Sequence, residues 1–173
     1  GDVVLNWTIN DSDSADTRSL VFFQRDANAI PLLVAHGVRG TSLTLNTAFA
    51  PGTDAGRFMV TAVDGANSGQ ATSGPVSIPD KPPVVSIISP EDGASLVAGQ
   101  PTLLVGRGLD LSTGELGPDR LKWISDKDGS LGAGNELETS LSTGDHTLTL
   151  QGEAPSGLRD SHDILIHVDA DSD

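Results

Sequence analysis

The sequence predicts an all-β fold built as two tandem β-sandwiches. The chain has 173 residues, including 20 glycines and 10 prolines, and no stretch keeps an apolar period of 3.6 long enough for a substantial helix. Short runs of alternating apolar and polar residues are separated by turns rich in glycine, aspartate and asparagine. Two units of roughly 80 to 90 residues each are large enough to bury independent cores.

The boundary between the two sandwiches is predicted at a proline-rich segment. Pro79, Pro82 and Pro83 surround Asp80 and Lys81, and such prolines favour an extended, semi-rigid spacer. We therefore assign residues 1–79 to the first sandwich, 80–83 to a linker, 84–169 to the second sandwich and 170–173 to an acidic tail.

Six strands are predicted in the first half. The run VVLNWTIN puts Val3, Leu5, Trp7 and Ile9 on one face. Five further strands are predicted in RSLVFFQRD, IPLLVAH, TSLTLNTAF, RFMVTAVDG and QATSGPVSIP. The adjacent residues Phe22 and Phe23 must point to opposite faces of their strand, so one of the two rings can be exposed for binding or edge packing.

Residues 2–79 resemble a fibronectin type III domain. The resemblance is carried by VLNW, with Trp7 on the second strand, by GRFMVTAVDGANSG as the sixth strand and by GPVSI as the last. Two features depart from the family pattern. The first strand is missing or truncated, and Phe58 stands where the family has a tyrosine, so the hydroxyl contact of that tyrosine cannot form. The missing strand favours the interpretation that the chain is a fragment of a longer protein.

The second half resembles a bacterial immunoglobulin-like domain of the polycystic-kidney-disease type. PPVVSIISPEDGASLVAGQPTLLVGRGLD is predicted to supply the first two strands, RLKWISDKDGSLGAGNELETSLSTGDHTLTLQG the middle ones and DSHDILIHV the last. Trp123 lies on the predicted third strand, where a large aromatic in an alternating run packs between sheets. Of the acidic stretch that such domains carry after the second strand, only Asp110 matches.

The chain is strongly acidic and contains no cysteine. It has 24 Asp and Glu residues against 10 Lys and Arg residues, a formal net charge of −14. This surface repels phosphate backbones and anionic lipid, so nucleic acid and membrane partners are not expected. No apolar run approaches the roughly 20 residues of a membrane span. Without cysteine there are no disulfides, thiol nucleophiles or thiolate metal sites, and folding should require no cofactor.

A calcium site is the sharpest candidate for binding chemistry. If the second strand ends near Asp110, the third begins near Asp119 and the last begins near Asp160, the three carboxylates lie at one end of the second sandwich. The linker enters at that end, so Asp80 can join them. Ca²⁺ takes six to eight oxygen ligands. The alternative interpretation is a set of acidic loops held apart by repulsion.

Two other acidic segments are predicted to be ordinary loops. DKDGSLGAGNEL, residues 126–137, fails as an EF-hand because Leu131 and Leu137 stand where that loop has glycine and glutamate. Asp128 and Gly129 are therefore predicted to form a turn between strands. Asn10 to Asp16 is predicted to be a solvated loop.

Catalysis has little support in the sequence. There is no Gly-x-Ser-x-Gly elbow, zinc-binding His-Glu-x-x-His or phosphate-binding glycine loop. His162 and His167 are five apart and point to opposite faces of a strand, and His146 opens an alternating strand where a structural hydrogen bond is expected. We predict that the chain is not an enzyme.

The predicted function is a non-catalytic spacer or interaction module of a larger bacterial protein, secreted or at the cell surface. Its partners would be other domains of the parent chain and a polysaccharide or protein at that surface. Two alternatives stay open: a calcium-dependent adhesion or carbohydrate-binding module, and an accessory region of a secreted hydrolase or protease. The fold class by itself does not choose among these roles.

Overall fold

The chain forms an all-β structure, seen in a computed structural model that describes residues 1–10, 17–65 and 67–170. These residues contain strands β1 to β16 and one short 3₁₀ helix, so the predicted fold class is confirmed. The chain divides into two compact units, Gly1–Asp80 and Lys81–Asp173, called unit 1 and unit 2 below. Two acidic segments of the sequence, residues 11–16 and 171–173, lie outside the described part.

The described residues of unit 1 form seven strands, where the sequence pattern indicated six. The run QATSGPVSIP forms two short strands, because the intervening Gly74 and Pro75 interrupt the ladder and proline has no N–H to donate. The strands are β1 (Asp2–Asn6), β2 (Arg18–Gln24), β3 (Leu32–Val38), β4 (Ser42–Asn46), β5 (Thr53–Val63), β6 (Ser68–Thr72) and β7 (Val76–Ile78).

Two sheets enclose the core of unit 1. One is the antiparallel pair β1–β4, and the other has the order β3-β2-β5-β6 with β7 also paired to β5. Val21, Phe23, Phe58 and Ile78 are buried between them, and the rings of Phe23 and Phe58 lie 5.1 Å apart. Phe58 is thus a packing residue. Phe22, on the opposite face from Phe23, is half-buried.

Nine strands form in the part of unit 2 that the structure describes, residues 81–170. Its first segment forms three strands rather than the predicted two, because a short strand, β9, forms between the two longer ones. The strands are β8 (Val84–Ser89), β9 (Ser95–Val97), β10 (Thr102–Asp110), β11 (Gly114–Glu115), β12 (Leu121–Ser125), β13 (Gly129–Ala133), β14 (Glu136–Thr139), β15 (Gly144–Glu153) and β16 (Arg159–Asp169), with the 3₁₀ helix at Pro118–Arg120.

The core of unit 2 is built around Trp123. One sheet places β10 beside β8, β11 and β14, and the other has the order β13-β12-β15-β16-β9, with β9 parallel to β16. The buried Trp123 donates its indole N–H to the carbonyl oxygen of Gly134 at 3.0 Å. Gly106 faces its ring, and a side chain at Gly106 would collide with Leu150 and Trp123. Glycine on β10 therefore makes room for the large indole.

Candidate functional site

Three of the four predicted calcium ligands lie at one end of unit 2. Asp110 ends β10, Asp119 lies in the 3₁₀ helix and Asp160 lies at the start of β16. Asp80 belongs to unit 1. Within residues 1–10, 17–65 and 67–170, no group of three or more His, Asp or Glu side chains is arranged to hold a metal ion. The calcium site stays a prediction.

The carboxylate of Asp110 closes a turn. This side chain is buried, and its Oδ1 atom accepts hydrogen bonds from the backbone N–H of Ser112 at 3.0 Å, the N–H of Thr113 at 2.8 Å and the hydroxyl of Thr113 at 2.8 Å. Three donors satisfy most of the acceptor capacity of that oxygen. Asp119 and Asp160 are exposed. The contacts of Asp110 therefore have a structural role that does not depend on a cation.

A buried hydrogen-bond network surrounds His146. Its Nδ1 atom lies 2.8 Å from the hydroxyl oxygen of Ser125, and its Nε2 atom lies 2.7 Å from the carbonyl oxygen of Ser142. The Ser125 oxygen also accepts the backbone N–H groups of Lys127 and Asp128, both at 3.1 Å. Because a carbonyl only accepts, Nε2 carries the proton and Nδ1 accepts the serine hydroxyl.

This network contains the residue types of a nucleophilic triad in an arrangement that cannot work as one. In a triad, serine and aspartate contact opposite nitrogens of the histidine ring. Here the Oδ2 atom of Asp128 lies 3.8 Å from Nδ1, the same nitrogen that contacts Ser125. Ser125 is also buried, so no substrate reaches its hydroxyl. The geometry assigns these side chains to holding turns.

The carboxylate of Asp128 connects the turn after β12 to the turn before β15. It accepts the backbone N–H of Ser142 at 2.9 Å and its hydroxyl at 2.5 Å. These two hydrogen bonds from Ser142 hold the pKa of Asp128 below its ordinary value. Asp128 thus lies in the turn between β12 and β13, where the sequence predicts a turn at Asp128 and Gly129, and Gly129 is the first residue of β13.

The other two histidines of unit 2 lie on opposite faces of β16. The Nδ1 atom of His162 accepts the backbone N–H of Ile87 at 3.1 Å, which connects the two sheets. His167 lies opposite Asp145 on β15, with Nδ1 and Oδ1 2.6 Å apart, and its Nε2 lies 3.3 Å from Asp169. The hydrogen bond to Asp145 raises the pKa of His167 and lowers that of Asp145.

Unit 1 contains a cavity of about 430 Å³ beside Trp7. Trp7 follows β1, and its backbone N–H bonds the carbonyl of Thr41 at 3.0 Å. The side chain is half-buried and packs against the core of unit 1, and among the described residues its buried indole N–H has no hydrogen-bond partner. Val60, Asp64 and Gln70 are among the other lining residues. The described residues that line the cavity are a mixture of apolar and polar groups, with Asp64 as the charged one.

Two exposed apolar features are not evident from the sequence pattern. Phe49, in the loop after β4, is 86% exposed, although the sequence pointed to Phe22 or Phe23 as the candidate for an exposed ring. A second group of exposed apolar residues lies on the outer face of β8 and β10 in unit 2. The exposure of Phe49 could be predicted from its position in a loop rich in small residues. The exposed group on β8 and β10 could not be predicted, because it depends on strand register.

Comparisons with known proteins give information about the fold of the chain. No protein-family profile matches the chain. No curated protein matches it significantly. Among solved structures it is similar to the fibronectin(III)-like modules of Clostridium thermocellum CbhA, with 16% identity and a TM-score of 0.46 over 98% of this chain and 86% of that chain.

Other similar structures contain several tandem domains. The N-terminal four Ig domains of Dscam1 isoform 7.44 share 10% identity with a TM-score of 0.45, over 97% of this chain and 41% of that chain. Mouse cadherin-23 EC22-24 shares 14% identity with a TM-score of 0.38, over 88% of this chain and 53% of that chain. The structural neighbours are thus fibronectin III-like and Ig-like domains. No helix in the described residues is long and apolar enough to cross a membrane.

Proposed function

We propose that the chain is a non-catalytic spacer and interaction module of a larger bacterial protein, secreted or at the cell surface. The observation that carries the proposal is the connection of β16, the last strand of unit 2, to β9, its second strand. β9 runs parallel to β16, and around this pair the backbone N–H of His167 bonds Ala94 at 2.9 Å and that of Ala98 bonds Asp169 at 2.8 Å.

Parallel pairing near the ends of a domain resists being pulled apart. A pull toward the linker loads β8 first and reaches β9 from its start, and a pull beyond Asp169 acts on β16 from its end. Because the strands are parallel, these opposite forces load their hydrogen bonds together in shear rather than one after another. A module of this kind keeps its length while it holds a neighbouring domain away from a surface or close to a substrate.

The buried polar groups support the same conclusion. Asp110, Ser125 and His146 are buried, and their hydrogen bonds fix turns within unit 2. Fully satisfied networks of this kind rigidify a domain. The interior of unit 2 therefore serves to keep the domain rigid, and binding would take place at its surface.

Single-molecule force spectroscopy on the full chain tests the proposal. We expect two separate unfolding events, each releasing roughly 25–30 nm of chain at about 3.5 Å per residue. The substitution Ala98→Pro removes the N–H that bonds Asp169 and should lower the unfolding force of unit 2, with the event of unit 1 as internal control. A single event, or an unchanged force in this variant, would contradict the proposed mechanical role.

The two alternative roles differ in what surrounds the chain and in what it binds. An accessory region of a secreted hydrolase or protease predicts a catalytic signature in the neighbouring sequence of the parent gene. A calcium-dependent adhesion module predicts long arrays of similar sandwiches. Sequencing outward from both ends of the chain separates these from each other.

A further inference from the structure

The outer face of one sheet in unit 2 carries a row of exposed apolar side chains. Val84 on β8 lies opposite Leu109 on β10, and the two are 65% and 53% exposed. Leu103 and Ile88 are each 51% exposed on the same side of the sheet. Arg107 and Ser86 lie opposite each other on the same side of the sheet, so the Val84–Leu109 pair is separated from Ile88 and Leu103 by one basic and one hydroxyl side chain. Grouped apolar surface of this kind marks sites of interaction more often than isolated exposed residues do. The β10 face consists of Val84, Ile88, Leu103, Val105 and Leu109.

Glutamates border the β10 face along one side. Glu138 and Glu136 on β14 lie opposite Leu103 and Val105, and Glu115 on β11 lies opposite Leu109. Directly opposed residues of antiparallel strands project to the same face, so the three carboxylates flank the apolar row. The other flank, β8, supplies only apolar and serine side chains. The surface is therefore apolar on one side and acidic on the other.

A hollow of about 360 Å³ lies on the glutamate side of this face, between Glu115 and Glu136. Val105, Arg107, Glu115 and Glu136 line it, together with the Leu116–Pro118 segment. Arg107 and Glu115 form an ion pair at 3.5 Å, but both side chains are more than half exposed, so this pair contributes little and can be exchanged. A basic side chain that entered the hollow would meet two carboxylates, those of Glu115 and Glu136, beside an apolar wall.

We propose that the β10 face is the docking surface for a protein segment that carries a row of apolar residues bordered by lysine or arginine. The apolar row would cover Leu103 and Leu109, and one basic side chain would enter the hollow beside Glu115 and Glu136. Apolar contact provides the affinity, and the glutamates provide orientation and a faster encounter. This deepens the proposed interaction role by naming the chemistry of the partner.

A second copy of the chain is a poorer occupant. Each copy has a net charge of −14 and would bring its own row of glutamates, so like charges would face each other at the interface. A basic partner instead gains from the long-range attraction of the acidic chain.

The test uses the full chain, labelled with ¹⁵N, and a short synthetic peptide of alternating leucine and lysine as the probe. Matched peptides replace the lysines by glutamate or the leucines by serine. We expect the leucine-lysine peptide to shift resonances of β8, β10 and β14, and both matched peptides to bind at least about tenfold more weakly.

Paired substitutions locate the site. Leu103→Ser with Leu109→Ser should weaken binding about tenfold or more, and Glu115→Gln with Glu136→Gln should do the same. The matched control is Leu165→Ser with Asp163→Asn, which removes an exposed leucine (63% exposed) and a carboxylate from β16, in the other sheet. Its affinity should stay within about twofold of the parent chain. All of the substituted side chains are exposed, so the fold should be retained.

Three results would overturn the proposal. If the serine-lysine peptide binds as tightly as the probe, or the control variant weakens binding as much, the attraction is only general acidity. If the peptide-free chain self-associates and the leucine variant abolishes this, the occupant is a second copy. If the leucine variant shifts resonances of unit 1 without peptide, the face is covered within the chain. None of these results affects the two force events, so the spacer role is judged separately.

Discussion

The Nδ1 atom of His146 and the hydroxyl oxygen of Ser125 lie 2.8 Å apart in the interior of unit 2, where they connect β12 to β15. The same serine oxygen receives two backbone N–H groups from the turn after β12, and the other histidine nitrogen binds Ser142 in the turn before β15. One histidine side chain thus fixes two turns at the same end of the sandwich.

Ser125→Ala should destabilise unit 2 by about 1–3 kcal/mol, because it leaves the buried Nδ1 of His146 and two backbone N–H groups without their acceptor or donor. Urea unfolding followed by Trp123 fluorescence, in a Trp7→Phe background, measures the change. Ser130→Ala on the exposed strand β13 is the control and should change stability by less than about 0.5 kcal/mol. Equal effects of the two substitutions would contradict the network.

Unit 1 should unfold at a lower urea concentration than unit 2. Among the described residues, the core cluster of unit 1 has 4 buried side chains, whereas that of unit 2 has 11. Buried apolar area is the main favourable term in folding. The chain has 2 tryptophans, one in each unit, and no tyrosine, so Trp7→Phe and Trp123→Phe variants each report one transition. A lower midpoint for the transition seen by Trp123 would refute the expectation.

Gly106→Ala should destabilise unit 2 by about 1–3 kcal/mol through overpacking. A Cβ atom at this position would lie 2.9 Å from Trp123 and also collide with Leu150. Gly117→Ala is the matched control, since its Cβ would have no neighbour within 4 Å and its φ of −68° suits any residue. The urea midpoint of unit 2 should fall only in the first variant; a neutral Gly106→Ala would show that the core has spare room.

Asp110→Ala should lower the stability of unit 2 by about 1.5–3 kcal/mol even in EDTA, because three hydrogen bonds to a carboxylate are lost. Asp160→Ala is the control, since that side chain is exposed. Thermal unfolding with Ca²⁺ and with EDTA measures both variants. A loss that appears only with Ca²⁺, and in both variants, would instead support the predicted calcium site.

The sequence predicted the strands far better than their faces. Alternation located most strands and the position of Trp123 because period-2 patterns are local. On β10, however, the inward positions are Leu104, Gly106, Gly108 and Asp110, whereas Leu103 and Leu109 face outward. Hydrophobicity alone would predict the opposite orientation, with the leucines buried and the glycines exposed. The observed orientation depends on the room that Trp123 needs across the core, which the local sequence does not show. The short β9 was missed because its pairing with β16 is set by distant residues.

The ion pair of His167 and Asp145 should contribute less to the stability of unit 2 both when the pH rises and when the pH falls. The pKa of His167 is raised above 6.5. Its contribution to stability is therefore complete below pH 6.5 and is lost as the pH rises through the pKa of the folded state. The pKa of Asp145 is lowered from 3.8, so its share is present above that pH and is lost as the pH falls through the folded value. The pair therefore stabilises unit 2 most between about pH 4 and pH 6.5.

Titration of the His167 ring by NMR tests this directly. In Asp145→Asn the midpoint should fall toward 6.5, although Asp169, 3.3 Å from Nε2, should keep part of the shift. Asp163→Asn, on the same strand but opposite Thr149, should leave the midpoint unchanged. The effect should also shrink in high salt because both side chains of the pair are exposed to screening. If the midpoint stays the same in Asp145→Asn, the cross-strand hydrogen bond does not govern this histidine.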